Sequence, residues 1–301
     1  MGLFNFFKKK TQVRESMGDA AMSPHNSAVW YMDQGPQFKR GWVAYGKEDY
    51  ATALREWTPL AEQGDAEAQT HLGMMYGIGL GTAQDYREGL KWFRLAAAQG
   101  QASAQACIGG AYVFGQGVPQ DDKEAVQWFR LAAAQGDATA QYNLGVMFTQ
   151  GRGVPQDYEE AVKWYRLAAS QGHPEAQADL GAICTQGRGV PENYTDAVKW
   201  YRLAAAQGHA DAQRGLGVIY ANGDGVVASD IAAYALFNLS LASGTSNDND
   251  TANLHARVAE RMSEQEIEAA QYLTREIAKP GNLLEALDNH TAYEIKWGRV
   301  E

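Results

Sequence analysis

The chain has 301 residues, 45% of them apolar, 21% charged and 11% aromatic, a composition that excludes a disordered or fibrous chain. Its formal net charge of −10 argues against nucleic acid as the main partner, because a phosphate-binding surface calls for a basic domain. No stretch approaches the about 20 apolar residues that a membrane-crossing helix needs, so no transmembrane segment is expected.

The N-terminus reads MGLFNFFKKK. Its charges follow the apolar part, whereas a secretory signal has them first. Phe6 stands where the myristoylation pattern has Ser or Thr. Residues 1–25 read as a disordered segment, with weak peripheral membrane contact through LFNFFKKK as the competing reading. Residues 26–50 read as an N-terminal cap or partial repeat, in which AYGKEDY looks like a helix end with a shortened loop.

From residue 51 a 36-residue unit repeats five times without insertion, as 51–86, 87–122, 123–158, 159–194 and 195–230. Such a period marks an array of small supersecondary units. In the fourth unit Ala161, Val162, Tyr165, Leu167 and Ala168 recur at helical spacing and define a first helix. A glycine then ends it (Gly64, Gly100, Gly136, Gly172, Gly208), since glycine takes the positive φ of a helix terminus freely. The next residue, Asp65, Gln101, Asp137, His173 or His209, stands where a second helix needs its N-cap, and Pro174 suits the first helical position.

The second helix carries a recurring glycine (Gly73, Gly109, Gly145, Gly181, Gly217), which predicts a close crossing by a neighbouring helix. It ends in a loop, expected to span nine residues, where Gly151, Gly153 and Pro155 turn the chain. A unit of this length falls below the ~40 residues that usually fold alone, so stacking must make the core. Two buried seams are predicted: Trp57, Phe93, Phe129, Tyr165, Tyr201, Phe237, and Leu72, Ile108, Leu144, Leu180, Leu216.

Residues 231–280 read as a further first helix (IAAYALFNLSLASG, with Gly244 again 36 residues after Gly208) and capping helices. After a polar break, GTSNDNDT, one helix is expected through Leu254, Val258 and Met262. Ser263 and Glu266 form a capping-box signature for the next, which Pro280 and Gly281 stop. The tail, 281–301, carries Leu283, Leu284, Leu287, Tyr293 and Trp297, and either folds back on the array or binds elsewhere.

Candidate binding residues lie on the first helix of each unit. Lys91, Lys163 and Lys199 occupy its fifth position, with Gln127 in the third unit; Arg94, Arg130, Arg166 and Arg202 occupy its eighth. At i, i+3 these share a face and suit an acidic peptide or carboxylate terminus. The competing reading is that each arginine caps a loop carbonyl or pairs with acids at positions 1, 2 and 35 of the unit, such as Glu124 and Asp157. Trp92, Trp128, Trp164 and Trp200 are placed beside this strip, as partner-binding aromatics or as packing between units.

His173 and His209 lack a ligand set at metal spacing, and DND at 248–250 lacks the glycine and glutamate of an EF-hand. The GRG loops lack the Lys-Ser/Thr of a P-loop. No nucleophile-base set or HExxH is visible, so no catalytic residue, metal or cofactor is assigned. Cys107 and Cys184 lie two units apart, beyond the ~7 Å Cα separation a disulfide tolerates, and read as free thiols of a reducing, cytoplasmic setting.

The pattern A-V-x-W-[FY]-R-L-A-A-x-Q-G-x-x-x-A-Q-x-x-L-G with its G-x-G-V-P-Q-D loop resembles the Sel-one-like repeat, a relative of the tetratricopeptide repeat. The resemblance covers 51–230 strongly and the flanks weakly. It implies an all-α fold, a right-handed α-α superhelix or solenoid of stacked helix-turn-helix repeats, bacterial in many cases. Members act generally as adaptors that hold a peptide or protein domain in a concave groove. Some secreted relatives clamp each repeat with a disulfide and were described as binding or hydrolysing β-lactams; the paired cysteines and signal peptide of that branch are missing here. The expectation is a non-enzymatic protein-protein interaction scaffold. The alternatives are a hydrolase of that secreted type and a membrane-proximal adaptor recruited through residues 1–10.

Overall fold

The computed structural model describes the backbone of residues 35–243 and 248–297, and the side chains of 35–243 and 249–291. The expectations for residues 1–25, for Gly244 and for the Tyr293 and Trp297 side chains lie outside that range. Among the described residues there are fifteen helices and no strand. The chain divides into two compact units between Gln156 and Asp157, and the sequence repeat runs through this division in register.

The first unit holds α1 (Pro36–Gly46), α2 (Tyr50–Glu62), α3 (Ala66–Ile78), α4 (Tyr86–Ala98), α5 (Ala102–Phe114), α6 (Asp122–Ala134) and α7 (Ala138–Gln150). Each helix packs on the next in sequence. The second helix of each repeat crosses the following first helix where the recurring glycine meets the recurring ring. A Cβ on Gly73 would lie 2.6 Å from the Phe93 ring, and one on Gly109 2.7 Å from that of Phe129. Gly41 of α1 meets the Trp57 indole in the same way, so α1 is the second helix of a degenerate repeat. Its connection to α2, residues 47–49, is the shortened loop expected from AYGKEDY.

The second unit holds α8 (Tyr158–Ser170), α9 (Pro174–Gln186), α10 (Tyr194–Ala206), α11 (Ala210–Asn222), α12 (Asp230–Ala242), α13 (Asp248–Ala259), α14 (Glu264–Ile277) and α15 (Leu283–Trp297). Gly181 meets Tyr201, and Gly217 meets Phe237, by the same crossing. The ring and leucine columns are buried throughout, as the sequence predicts. Burying each such ring or leucine is worth ~1.5–3 kcal/mol, and a neighbouring repeat supplies the cover.

Two boundaries and one burial differ from the sequence reading. The loops span seven residues, for example 151–157, because the helix after them starts earlier. Asp85, Asp121, Asp157, Asn193 and Ser229 cap that helix through their side chains, drawing the following residue into its first turn. Asp248, Asn249 and Asp250 lie inside α13, which ends at Ala259, short of Met262. Leu167 is not a core residue: it and its equivalents Leu95, Leu131 and Leu203 stay 43–52% exposed. At ~100° per residue it lies on the side away from buried Tyr165 and Ala168.

Candidate partner-binding face

Helix α4 shows how the residues are set out. Asp85 accepts from the backbone N–H of Arg87 and Glu88, which fixes the start. Gly89, Leu90, Phe93, Ala96 and Ala97 then face the core. Lys91, Arg94 and Leu95 are left on the solvent side. The same order holds in α6, with Arg130 and Leu131, in α8, with Lys163, Arg166 and Leu167, and in α10, with Lys199, Arg202 and Leu203.

The structure divides the predicted strip by position. The lysines turn back to acids of their own helix: Lys91 to Glu88, Lys163 to Glu160 at 2.8 Å and Lys199 to Asp196 at 2.8 Å. The arginines do not follow them. Arg94, Arg130 and Arg166 are exposed and make no ion pair or hydrogen bond among the described residues. Arg202 is engaged from outside the repeat. Its Nη2 donates to Asp288 at 2.7 Å and to the Leu284 carbonyl at 3.4 Å, both on α15. The expectation that the tail folds back on the array thus holds for the start of α15, where Leu283 and Leu287 are buried. His290 Nε2 lies 3.3 Å from the Ser229 hydroxyl that caps α12.

The tryptophans do not sit beside the arginines. Two residues of helix place positions six and eight ~160° apart around the axis. Trp92 is half-buried against the cluster of Phe38, Trp57 and Leu72; Trp128 against that of Leu90, Phe93 and Ile108; Trp200 against that of Tyr201 and Leu216. Trp164 is half-buried as well, and the Nε1 atoms of Trp92 and Trp164 are buried without a hydrogen-bond partner. These rings pack between helices rather than face solvent with the cations.

The histidines resolve as caps. His173 Nδ1 accepts from Ala176 N–H at 3.4 Å, and His209 Nδ1 from Ala212 N–H at 3.3 Å, the places Asp65 and Asp137 fill elsewhere. Gln101, at the same place, makes no side-chain cap. Among the described residues no group of three or more His, Cys, Asp or Glu is placed to hold a metal ion. Cys107 and Cys184 are free and buried. No described helix is long and apolar enough to cross a membrane.

Sequence reasoning missed a ladder of glutamines. Gln69, Gln105, Gln141, Gln177 and Gln213 each donate to a carbonyl eight residues back, at 3.0–3.5 Å. Gln99, Gln135 and Gln207 each donate to one of these side chains. The Ala-Gln and Gln-Gly pairs of the repeat were its signal. It also missed how position 30 serves the loops: Arg152 forks onto Asp122, and Arg188 lies 5.8 Å over the Tyr158 ring that stands where Asp122 does.

Helix pairs stacked by one periodic set of contacts, carrying an exposed polar face, define an all-helical repeat protein. A family model for the Sel1 repeat matches five times, at 66–101, 102–137, 138–173, 174–209 and 210–244, and the chain belongs to that family. The matched frames start at the second helix of the units counted above and reach across α12. Members of the family are generally protein-protein interaction scaffolds and typically non-enzymatic.

Among solved structures, a Sel1 repeat protein from Oxalobacter formigenes is 33% identical, with a TM-score of 0.62 over 69% of this chain and 86% of that one. A protective antigen of uropathogenic Escherichia coli with an SLR fold is 27% identical, with a TM-score of 0.69 over 96% of this chain. This chain spans 60% of that antigen's length. Comparison with curated proteins gives no match.

Proposed function

We propose that the protein is a non-enzymatic adaptor that binds a protein or peptide, an acidic one, on the exposed face of its first helices. The observation that carries this is the contrast within one column. Arg94, Arg130 and Arg166 stand exposed with no ion pair among the described residues, while Arg202 at the equivalent place holds a carboxylate. An exposed guanidinium fork is suited to carboxylates, and each unit presents such forks on its own first helices. The cytoplasm is its proposed setting, in keeping with two unpaired cysteines.

Affinity capture from native lysate tests the reading, with the wild-type chain and an Arg130→Ala/Arg166→Ala variant compared by quantitative mass spectrometry. The expected result is a set of partners whose capture falls about tenfold or more in the variant, as loss of charge-assisted hydrogen bonds implies. Identical partner sets would remove the arginine face from the function.

A further inference from the structure

The contact at Arg202 has a composition that the free arginines lack. Three features of α15 meet there: an aspartate on the guanidinium, a backbone carbonyl on the same nitrogen, and two leucines four residues apart, Leu283 and Leu287, buried beside it. That spacing puts the leucines on one face of a helix. Beneath the guanidinium lies Tyr220 of α11, its hydroxyl 3.5 Å from Nη1. The chain thus lays an acidic amphipathic helix on one of its own position-eight arginines.

In the first unit the corresponding places are open. Arg94 and Arg130 make no ion pair among the described residues, and Leu95 and Leu131 beside them are 50% and 52% exposed. Tyr112 and Phe148 hold the position that Tyr220 holds beneath Arg202. We infer that the Arg94–Leu95 and Arg130–Leu131 edge of α4 and α6 docks an acidic amphipathic helix of a partner protein. This rests on the adaptor reading above.

The choice of partner follows from charge and shape. Lys91 is already neutralised by Glu88, so the arginines carry the unmatched charge of this edge. A basic or neutral helix would cover a guanidinium without giving it a countercharge, which is costly. An acid one residue past the second of two leucines spaced i, i+4, as in Leu283, Leu287 and Asp288, supplies both terms, in the helix-in-groove mode.

The test uses the full chain and a synthetic peptide of residues 282–297, NLLEALDNHTAYEIKW, as the probe. Wild type, Arg94→Glu/Arg130→Glu, Arg202→Glu and Arg257→Glu are titrated by fluorescence anisotropy, and a photoreactive peptide maps the site. Thermal melts confirm that each variant is folded. Binding should weaken about tenfold or more in the Arg94/Arg130 variant and with a peptide carrying Asp288→Lys, and be unchanged in Arg257→Glu. Crosslinks should fall on α4 and α6. No binding, equal binding to all chains, or binding and crosslinks that depend on Arg202 alone would each overturn the inference. If the peptide fails while lysate partners still depend on Arg130 and Arg166, this inference falls and the adaptor reading stands.

Discussion

Gln207 donates its side-chain amide to Gln177 Oε1 at 2.9 Å, and Gln177 donates its own to the Ala169 carbonyl at 3.1 Å. The rung ties the end of α10 to α9 and, through it, to the end of α8. Rungs at Gln99–Gln69 and Gln135–Gln105 repeat it at 2.8 Å. Each brings a second donor to a helix-end carbonyl that the N–H of the following glycine already bonds, and so gives the buried glutamine amide a partner.

The ladder stops one rung early. Gln213 donates to the Ala205 carbonyl, but its Oε1 is buried without a partner among the described residues. The donor should come from the C-cap of α12, where Ser243 replaces glutamine and bonds Leu239 instead. Ser243→Gln is therefore expected to stabilise the second unit by about 0.5–1.5 kcal/mol. Gln177→Leu should destabilise it by about 0.5–1.5 kcal/mol, since it removes two hydrogen bonds while the Ala169 carbonyl keeps the Gly172 N–H and the Gln207 amide keeps the Gly172 carbonyl. Urea unfolding midpoints measure both, and an unchanged midpoint for Ser243→Gln would mean that the Gln213 oxygen needs no donor.

Gly109→Ala sets two effects against each other. Alanine is the better helix former by up to ~1 kcal/mol. The new Cβ, however, would sit 2.7 Å from the Phe129 ring. Overpacking of that kind costs about 1–3 kcal/mol, so the variant is expected to melt lower. The penalty should shrink in a Phe129→Leu background, a coupling expected of residues in contact. Gly46→Ala, at a site with nothing within 4 Å, is the control and should not destabilise.

Glycine recurrence makes that crossing legible in the amino-acid sequence, because a glycine inside a helix costs up to ~1 kcal/mol and its return at one position points to a neighbour that leaves no room for a side chain. The ring that displaces it is legible too, as the other invariant of the unit in Phe93, Phe129 and Tyr201. The fate of the cations is not. Lys91 and Arg94 differ by one turn, yet one reaches Glu88 and the other makes no ion pair among the described residues. Nor does the repeat pattern foretell that Asp288, from outside the array, finds Arg202. That contact is long-range, and sequence periodicity speaks only for neighbours. Placing the tryptophans beside the arginines fails for a local reason: residues adjacent in sequence are not adjacent on the helix surface.

His71 gives the first unit a pH dependence. It is stacked on Trp57 at 4.7 Å and ringed by Phe38 and Trp42, and burial pushes its pKa down from 6.5 to about 4. Between these values the unfolded chain binds a proton that the folded chain refuses, so stability falls as pH falls. The stabilisation is whole above pH 6.5 and is lost progressively towards pH 4. At pH 5 the loss from this group is about 2 kcal/mol. His71→Phe, which keeps a ring against Trp57, should flatten that slope in urea titrations at pH 7 and pH 5. His173, also lowered by burial, contributes the same sign and leaves a residual slope. An unaltered slope in the variant would show that the dependence originates in groups other than His71.

The two thiols report packing from inside the repeats. Burial, helped by Asp137, pushes the Cys107 thiol up to about 12. At Cys184 burial and Asp196 raise it, against a lowering by Arg166. Since the thiolate is the reactive form, neither should label in the folded chain near neutral pH. A chromogenic disulfide reagent should read two thiols in urea and almost none in buffer over the same minutes. Separate Cys107→Ala and Cys184→Ala chains assign the residual rates, and these should follow the opening of the helices around each thiol rather than the thiol's own acidity. Prompt labelling of Cys107 in buffer would mean that α5 is not covered by α4, whose Leu90 and Phe93 share its core cluster, or by α6, which the Gly109 crossing brings against it.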